Sequence, residues 1–505
     1  MKNLNPAGVK NKNGRGATGK KRGVAEEIIK KASLLIVFSF ILDIIILSPP
    51  YSTETAIGTF LLISSLLVIF YKDIIRYKPS MRDNYRRLLL LGSLLIGNFI
   101  IARLFLYVFK GFAIWLGQTE PEIVLYATPL ATGSMLTVLL IDIHTAIVFT
   151  VMTSLLSGLW LNDPIYPLYV FATGITAAFG VVRCKRRSAI WRAGVSVSLI
   201  AVGVSVIMVF IKEVLFRLET GTILALAFSN GIIVAMLVSA LLPLLEYIFK
   251  ITTDISLLEL LDLNHPLMRE LLIEAPGTYH HSMVVGNLVE AVAEAIGVNP
   301  LLARVGAYYH DIGKIKMPEY FIENQIAPVS KHDTLVPRMS SLILISHVKE
   351  GVELARQYKL PQEIIDIIQQ HHGTSIQTYF YEKAKELHEK NPKIPLSEED
   401  FRYPGPKPRT RVAALILMAD AVEAASRILV EPTPSRVSAL VERIINHCFI
   451  DGQLDDCELT LKDIREIKVY FVYLLTSMYH RRIDYPGFEI KDGDTHKEPA
   501  KAKSA

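Results

Sequence analysis

Apolar residues follow two regimes along this chain. Between residues 32 and 249 they come in long, nearly unbroken runs; from residue 250 onward they return at three- and four-residue intervals between charged positions. Unbroken runs of this length mark membrane spans, and the interrupted pattern marks amphipathic helices of a soluble domain. The runs predict eight spans, at 32–48, 56–71, 88–109, 122–141, 143–161, 165–182, 190–211 and 222–242. The first two are short for a bilayer core of roughly 30 Å, which takes about 20 helical residues to cross. No segment is strand-rich and no repeat is present. The expected fold is therefore all-α: a polytopic transmembrane helix bundle (32–249) followed by a cytosolic, all-helical domain.

Past Phe249, residues 250–277 read as a helical linker, divided by Pro266 and placed to couple the bundle to the soluble domain. An amphipathic helix comes next, with Val284, Val285, Leu288, Val289, Val292 and Ile296 at helical spacing. Gly297 ends it, and Asn299-Pro300 opens a second helix that runs into His310-Asp311. A tight turn between them would bring His281 and His310 together. Further helices are predicted over 335–358, 361–370, Val412 to Leu429, 435–447 and 460–480. Residues 374–410, polar and holding Pro392, Pro395, Pro404, Pro406 and Pro408, read as an inserted loop or lid. The soluble domain is expected to span 278–485, with 486–505 a disordered polar tail.

Composition and charge sharpen the picture. A hydrophobic content of 51% with a mean hydropathy of +0.34 suits a membrane protein. Residues 1–31 hold nine Lys/Arg against Glu26 and Glu27, a net +7, so the rest of the chain sums to −2 against the overall +5. Basic character thus belongs to one end, and no nucleic-acid polymer is expected as a partner. That tail, rich in Gly and Asn, reads as disordered and held against anionic headgroups. Lys72, Arg76, Lys78, Arg82, Arg86 and Arg87 follow the second span; Arg183, Lys185, Arg186, Arg187 and Arg192 follow the sixth. This asymmetry predicts a multi-pass protein of the inner or plasma membrane with both termini and the soluble domain in the cytoplasm.

The first run reads as a retained anchor, because Ser48-Pro49-Pro50 follows it without a small-residue cleavage site. Asp43, Arg103, Asp142 and His144 lie in or beside spans and read as structural pairs; no Gly/Pro-broken pair of spans announces an inverted-repeat transporter. Cys184, Cys448 and Cys457 have no metal-type spacing and fit a reducing compartment.

The candidate chemistry lies in seven residues: His281, His310, Asp311, His347, His371, His372 and Asp420. Any one of these histidines taken singly is more commonly a core or surface side chain than a ligand. Collected as His-Asp-Ile-Gly, His-His-Gly and Met-Ala-Asp at helix ends or in apolar helices, they point to metal. Five imidazoles and two carboxylates exceed what one ion needs, so two ions bridged by Asp311 is the economical arrangement. One group would be His281, His310, Asp311 and Asp420; the other Asp311, His347, His371 and His372. Such a pair activates a water and clamps the attacking and leaving oxygens of a phosphodiester. Lys314, one turn on, would meet a phosphate oxygen as a point charge. Asp311 and Lys314 are the expected catalytic residues. Of the adjacent His280 and His281, about 100° apart on a helix, only one can face the ions, and His281 has the better face. His265, His332, His388, His447, His480 and His496 are left as non-ligands.

The elements GTYHHSMVVGNL (277–288), YYHDIGKIKMPEYFIENQ (308–325), SHVKEGVELA (346–355), QQHHGT (369–374), FRYPGPKPRTR (401–411) and MADAVEAASR (418–427), in this order, resemble the HD-domain phosphohydrolases, specifically the HDIG-type seven-transmembrane receptor HD family. The resemblance covers nearly the whole cytosolic part, and the family's ligands fall on the seven positions above. It implies a membrane-anchored phosphodiesterase that loads two divalent ions, Mn or Fe, and opens cyclic di-AMP to linear pApA, so regulating a second messenger. The spans tally as one plus seven. The large extracytoplasmic domain usual in the family is replaced here by the eight residues Pro49 to Ala56. A related group that cleaves cyclic di-GMP carries Gly-Tyr-Pro after its paired histidines, where this chain has Gly-Thr-Ser (373–375). Expected partners are a cyclic dinucleotide and the lipid bilayer, with a homodimer as the candidate assembly. The alternatives are another nucleotide phosphohydrolase or a receptor that binds the nucleotide without turnover.

Overall fold

The computed structural model describes residues 14–478 except 48–49, 80–84, 116–120, 183, 185, 214–219, 326–329 and 430–431. The expected tail 486–505, the end of the soluble domain at 479–485 and the loop cations Arg82, Arg183 and Lys185 lie outside the described residues. The chain divides into two compact units, Met1–Asp262 and Leu263–Ala505. Both are helical, and the β-structure among the described residues is one isolated bridge, Ile376 with Arg402.

The first unit comprises α1 (Gly14–Ile46), α2 (Thr53–Tyr77), α3 (Tyr85–Trp115), α4 (Ala131–Leu140), α5 (Ile143–Leu161), α6 (Tyr166–Gly180), α7 (Ser188–Ile211), α8 (Thr220–Phe249) and α9 (Asp254–Leu260). Its helices share one apolar core, from Phe38 and Leu42 on α1 to Ile255 on α9. Residues 14–31, expected to be disordered, begin α1 instead; once an apolar helix is nucleated, adding turns costs little, even across basic residues. Of the eight expected spans, six among the described residues are long and apolar enough to cross a membrane, five of them single helices and one the broken stretch Glu122–Leu140. The C-terminal half of α1 keeps Lys30, Lys31 and Asp43, and α6 has only 15 residues.

The span expected at 122–141 is not continuous. A 3-10 helix, Pro121–Ala127, gives way at Thr128-Pro129 before α4 begins. Pro129 removes a backbone donor, and side chains from three helices take up the groups this frees. Asn98 on α3 donates to Leu130 O at 2.9 Å and accepts from Gly133 N at 3.1 Å. Asn230 on α8 donates to Thr128 O at 2.9 Å and Tyr126 O at 3.2 Å, while Tyr166 and Tyr169 on α6 donate to Leu125 O and Tyr126 O. At Gly231 on α8 a Cβ would lie 2.0 Å from Gly194 O, so α7 and α8 touch backbone to backbone there.

The charged residues of the spans have structural partners. Arg103 donates to the last carbonyls of α1, including Ile45 O. Thr59 donates to Asp43 at 2.5 Å, Asp142 caps α5 and pairs with Lys78 at 3.2 Å, and His144 lies 3.7 Å from Asp73.

The second unit comprises α10 (Pro266–Glu274), α11 (Pro276–Ala295), α12 (Pro300–Tyr309), α13 (Pro337–Gln357), α14 (Gln362–Gln370), α15 (Thr378–Lys390), α16 (Arg411–Ser426), α17 (Pro434–Ile450) and α18 (Leu461–Met478). Helices α11 and α12 are an antiparallel pair. Gly297, at φ +68°, turns the chain between them, and Asn299 caps α12 by accepting from Leu301 N and Leu302 N. The 374–410 stretch is not all loop. Ahead of its prolines TYFYEKAKELHEK forms α15, which buries Phe380 against the unit and leaves its charges in solvent.

Candidate metal centre

Three helix ends and two helix middles converge in the second unit. Helix α12 stops at Tyr309, leaving His310 as its C-cap and Asp311 at the head of a 3-10 turn, Ile312–Lys316. That turn lies directly on α13. A Cβ on Gly313 would come 1.8 Å from His347 O, so the glycine of His-Asp-Ile-Gly is required by backbone approach. Helix α14 likewise ends at His371, and Gly373 at φ +54° follows His372. Helix α11 supplies His281 near its start and α16 supplies Asp420 near its middle.

The structure brings all seven candidate side chains together in two groups: His281, His310, Asp311 and Asp420; and Asp311, His347, His371 and His372. Asp311, 1% exposed, stands between them. Its Oδ2 is 3.2 Å from His310 Nε2 and 3.8 Å from His281 Nε2, and its Oδ1 is 3.3 Å from His347 Nε2 and 3.6 Å from His371 Nε2. Asp420 also reaches both groups, a link not foreseen from sequence. Its Oδ1 lies 2.9 Å from His281 Nε2 and its Oδ2 3.6 Å from His372 Nδ1. His280 is exposed and turned away. His265, kept as a non-ligand, caps α10 through Leu267 N.

The ring orientations are set locally. His310, His347 and His371 each place Nδ1 on the carbonyl three residues back, Ala307 O at 2.7 Å, Leu344 O at 2.5 Å and Ile368 O at 2.7 Å. A carbonyl only accepts, so each Nδ1 carries a proton and each Nε2 is the nitrogen turned toward the cluster. His347 Nε2 and His371 Nε2 face each other at 3.2 Å, and His310 Nε2 is buried with no hydrogen-bond partner. Imidazole nitrogens turned on one another in a buried space make a ready set of donors for a shared cation. With two carboxylates beside them, these residues fit divalent metal.

Sequence reasoning missed three supporting residues. Glu423, one turn past Asp420 on α16, accepts from His281 Nδ1 at 2.6 Å and is itself held by Arg427 Nε at 2.7 Å. Its burial inside an apolar helix, three residues from a ligand, was the available signal. Glu323 takes Lys314 Nζ at 2.8 Å, opposite the 2.7 Å contact of Lys314 with Asp311 Oδ2, and accepts from Thr278 Oγ1 at 3.0 Å. Tyr403 stacks on His372 with ring centroids 4.2 Å apart, steadied by Gln377. Beside it a cavity of about 600 Å³ is lined by Thr374, Arg402, Tyr403, Lys407 and Asp451.

Burial and charge work against each other here. Burial opposes a proton on His281, yet hydrogen bonds to Asp420 and Glu423 push its pKa up to about 10. Burial takes His347 down to about 3 and His372 well below the ordinary value, leaving both neutral. Burial also works against the charge on Asp311, but His310 and Lys314 hold it well below the usual carboxylate range. Lys314 is buried too, and Asp311 and Glu323 keep it charged above the normal lysine range.

Residues 54–253 match the family described as a 7TM receptor with intracellular HD hydrolase, and residues 278–425 match the HD domain. The chain is 41% identical over 369 residues to cyclic-di-AMP phosphodiesterase PgpH of Bacillus subtilis (strain 168), covering 72% of this chain and 51% of that protein. It is 42% identical over 344 residues to the PgpH of Listeria monocytogenes serotype 1/2a (strain 10403S), covering 68% and 47%. The chain thus spans about half the length of these curated relatives. The crystal structure of the HD domain of L. monocytogenes phosphodiesterase PgpH is 47% identical at a TM-score of 0.41, over 43% of this chain and 100% of that one.

Proposed function

Because the chain belongs to the family of 7TM receptors with an intracellular HD hydrolase, we propose that it is a membrane-anchored, metal-dependent phosphodiesterase that hydrolyses cyclic di-AMP to linear pApA. The reading assigns 32–249 to the membrane, 250–277 to a linker and 278–485 to the hydrolase. Loop charge supports a cytoplasmic hydrolase and cytoplasmic termini. The cyclic-di-AMP phosphodiesterase activity of the two relatives supports the substrate, and Gly-Thr-Ser at 373–375 distinguishes the chain from the Gly-Tyr-Pro pattern of cyclic di-GMP enzymes. One observation carries the reading: a single buried carboxylate, Asp311, turns one oxygen to each of two ligand groups.

His281, His310, Asp311 and Asp420 would hold one divalent ion, and Asp311, His347, His371 and His372 the other, with Mn or Fe as the expected metals. When bound, such a pair supplies Lewis acidity to a phosphoryl oxygen and a water nucleophile at neutral pH. The residues of the chain do the rest. Nδ1 donation to carbonyls and to Glu423 fixes which nitrogen each ring presents. Lys314, held charged between Asp311 and Glu323, offsets carboxylate charge and is available to a non-bridging phosphate oxygen as a donor. His372, Asp420 and Lys314 are the more exposed members, at 22%, 13% and 13%, and so mark the side from which substrate enters. Tyr403 extends that side with an aromatic face.

The test is to incubate the purified full chain with manganese and cyclic di-AMP and to follow pApA, with cyclic di-GMP as competitor. Production of pApA that resists cyclic di-GMP is expected. Binding without product would favour the receptor reading, and preferential turnover of cyclic di-GMP would displace the substrate assignment.

A further inference from the structure

The end of α6 and the start of α7 enclose a groove outside the hydrolase altogether. A Cβ on Gly180 would lie 2.7 Å from Ala193 Cβ, so the two helices meet there with no side chain between them. Next to that contact a cavity of about 460 Å³ opens, walled by Phe179, Val182 and Ala189, with Arg192 and Ser196 its polar members. No carboxylate lines it. Phe179, Val182 and the neighbouring Trp191 leave 59%, 43% and 47% of their surfaces uncovered, as side chains that face lipid do.

Arg192 is the telling residue. Other helix-end cations of the bundle are taken by carboxylates: Lys78 by Asp142, Arg187 by Glu259 at 2.7 Å, Lys212 by Asp163 at 2.7 Å. Arg192 has no carboxylate partner among the described residues. A guanidinium is a fork for phosphate oxygens, and an apolar wall beside it suits the first carbons of an acyl chain. We propose that this groove binds an anionic phospholipid, its headgroup phosphate on Arg192 and its chain against Phe179 and Val182. A single cation without a neighbouring acid favours a headgroup of net negative charge over a zwitterionic one.

Native mass spectrometry and thermal melts of the full chain, with phosphatidylglycerol or phosphatidylcholine added to the detergent, test this. Retention of phosphatidylglycerol with a raised melting midpoint is expected, phosphatidylcholine giving less of both. Arg192→Gln should raise the phosphatidylglycerol needed for half the shift about fivefold, the weight of one cation at a lipid surface. Arg192→Lys should lie between, and Arg186→Gln, in the loop just before α7 and outside the cavity, should match the parent. Equal effects of the two lipids, an unaltered response in Arg192→Gln, or the same shift from inorganic phosphate would each overturn the proposal.

Discussion

Asp311 divides its two carboxylate oxygens between two sets of imidazoles, and the consequence is sharp. Asp311→Ala should take both ions from the purified protein, dropping bound metal measured by elemental analysis from about two per chain toward zero. Retention of one ion would show that Asp420, which also reaches both groups, is the true bridge. Glu423 acts one step further out, through His281. Glu423→Gln keeps the size but can no longer demand a proton on Nδ1, so metal affinity should fall about 10- to 100-fold with helical content unchanged. Equal affinity would make the contact merely structural. These residues differed in how readable they were. Histidines at helix ends and an aspartate within VAALILMAD are conspicuous because apolar helices seldom carry them. Glu423 and Glu323 were not, since a glutamate on a helix or turn usually faces water and only the fold shows which one is buried.

At the scale of elements, periodicity located the helices that build the second unit, and it failed at two interruptions. In VLYATPLATG every residue suits a membrane interior, so the unwinding at Thr128-Pro129 left no mark on hydropathy. What holds it is supplied from α3, α6 and α8, far away in sequence. Asn98→Leu should remove the side-chain partner of Leu130 O and Gly133 N, and Asn230→Leu should leave Thr128 O only its bond from Leu130 N; each is expected to cost about 1–3 kcal/mol of bundle stability in detergent unfolding. No change would mean that water replaces the amide. The second interruption is 374–410, where prolines concealed α15. The chain there returns through Arg402, bound to Asp451, and brings Tyr403 onto His372. Replacing 404–408 with a glycine-serine segment should raise the Michaelis constant for cyclic di-AMP and spare kcat, because the segment borders the cavity and supplies none of the seven candidate ligands. Unchanged kinetics would leave it a connector.

For the molecule as a whole, the two units owe their stability to different things. The first rests on apolar packing and on internally satisfied backbone. The second carries a cluster of imidazoles and carboxylates that metal would bind tightly in the folded state, and such binding adds about 2.7 kcal/mol at a hundredfold excess over Kd. Metal removal should therefore lower one calorimetric transition of the full chain and leave the other in place. Buried histidines pull its pH dependence in opposite directions, with His372 acting in the same sense as His347 and against His281. His347 falls from the 6.5 of a free histidine to about 3, so the unfolded chain binds the proton first and the metal-free unit loses stability as pH drops below about 6.5. His281 rises to about 10, so its contribution is complete below about 6.5 and is lost as pH climbs toward 10. The metal-free transition should thus peak near pH 6.5. Metal needs the nitrogen that His281 keeps protonated, so loading should release a proton and carry the maximum to higher pH. Melts after chelation and after manganese addition, at pH 5 to 9, measure both effects. A metal-free transition that kept rising with pH through 9 would mean that His281 is neutral in the folded protein and that Glu423 does not hold a proton on it.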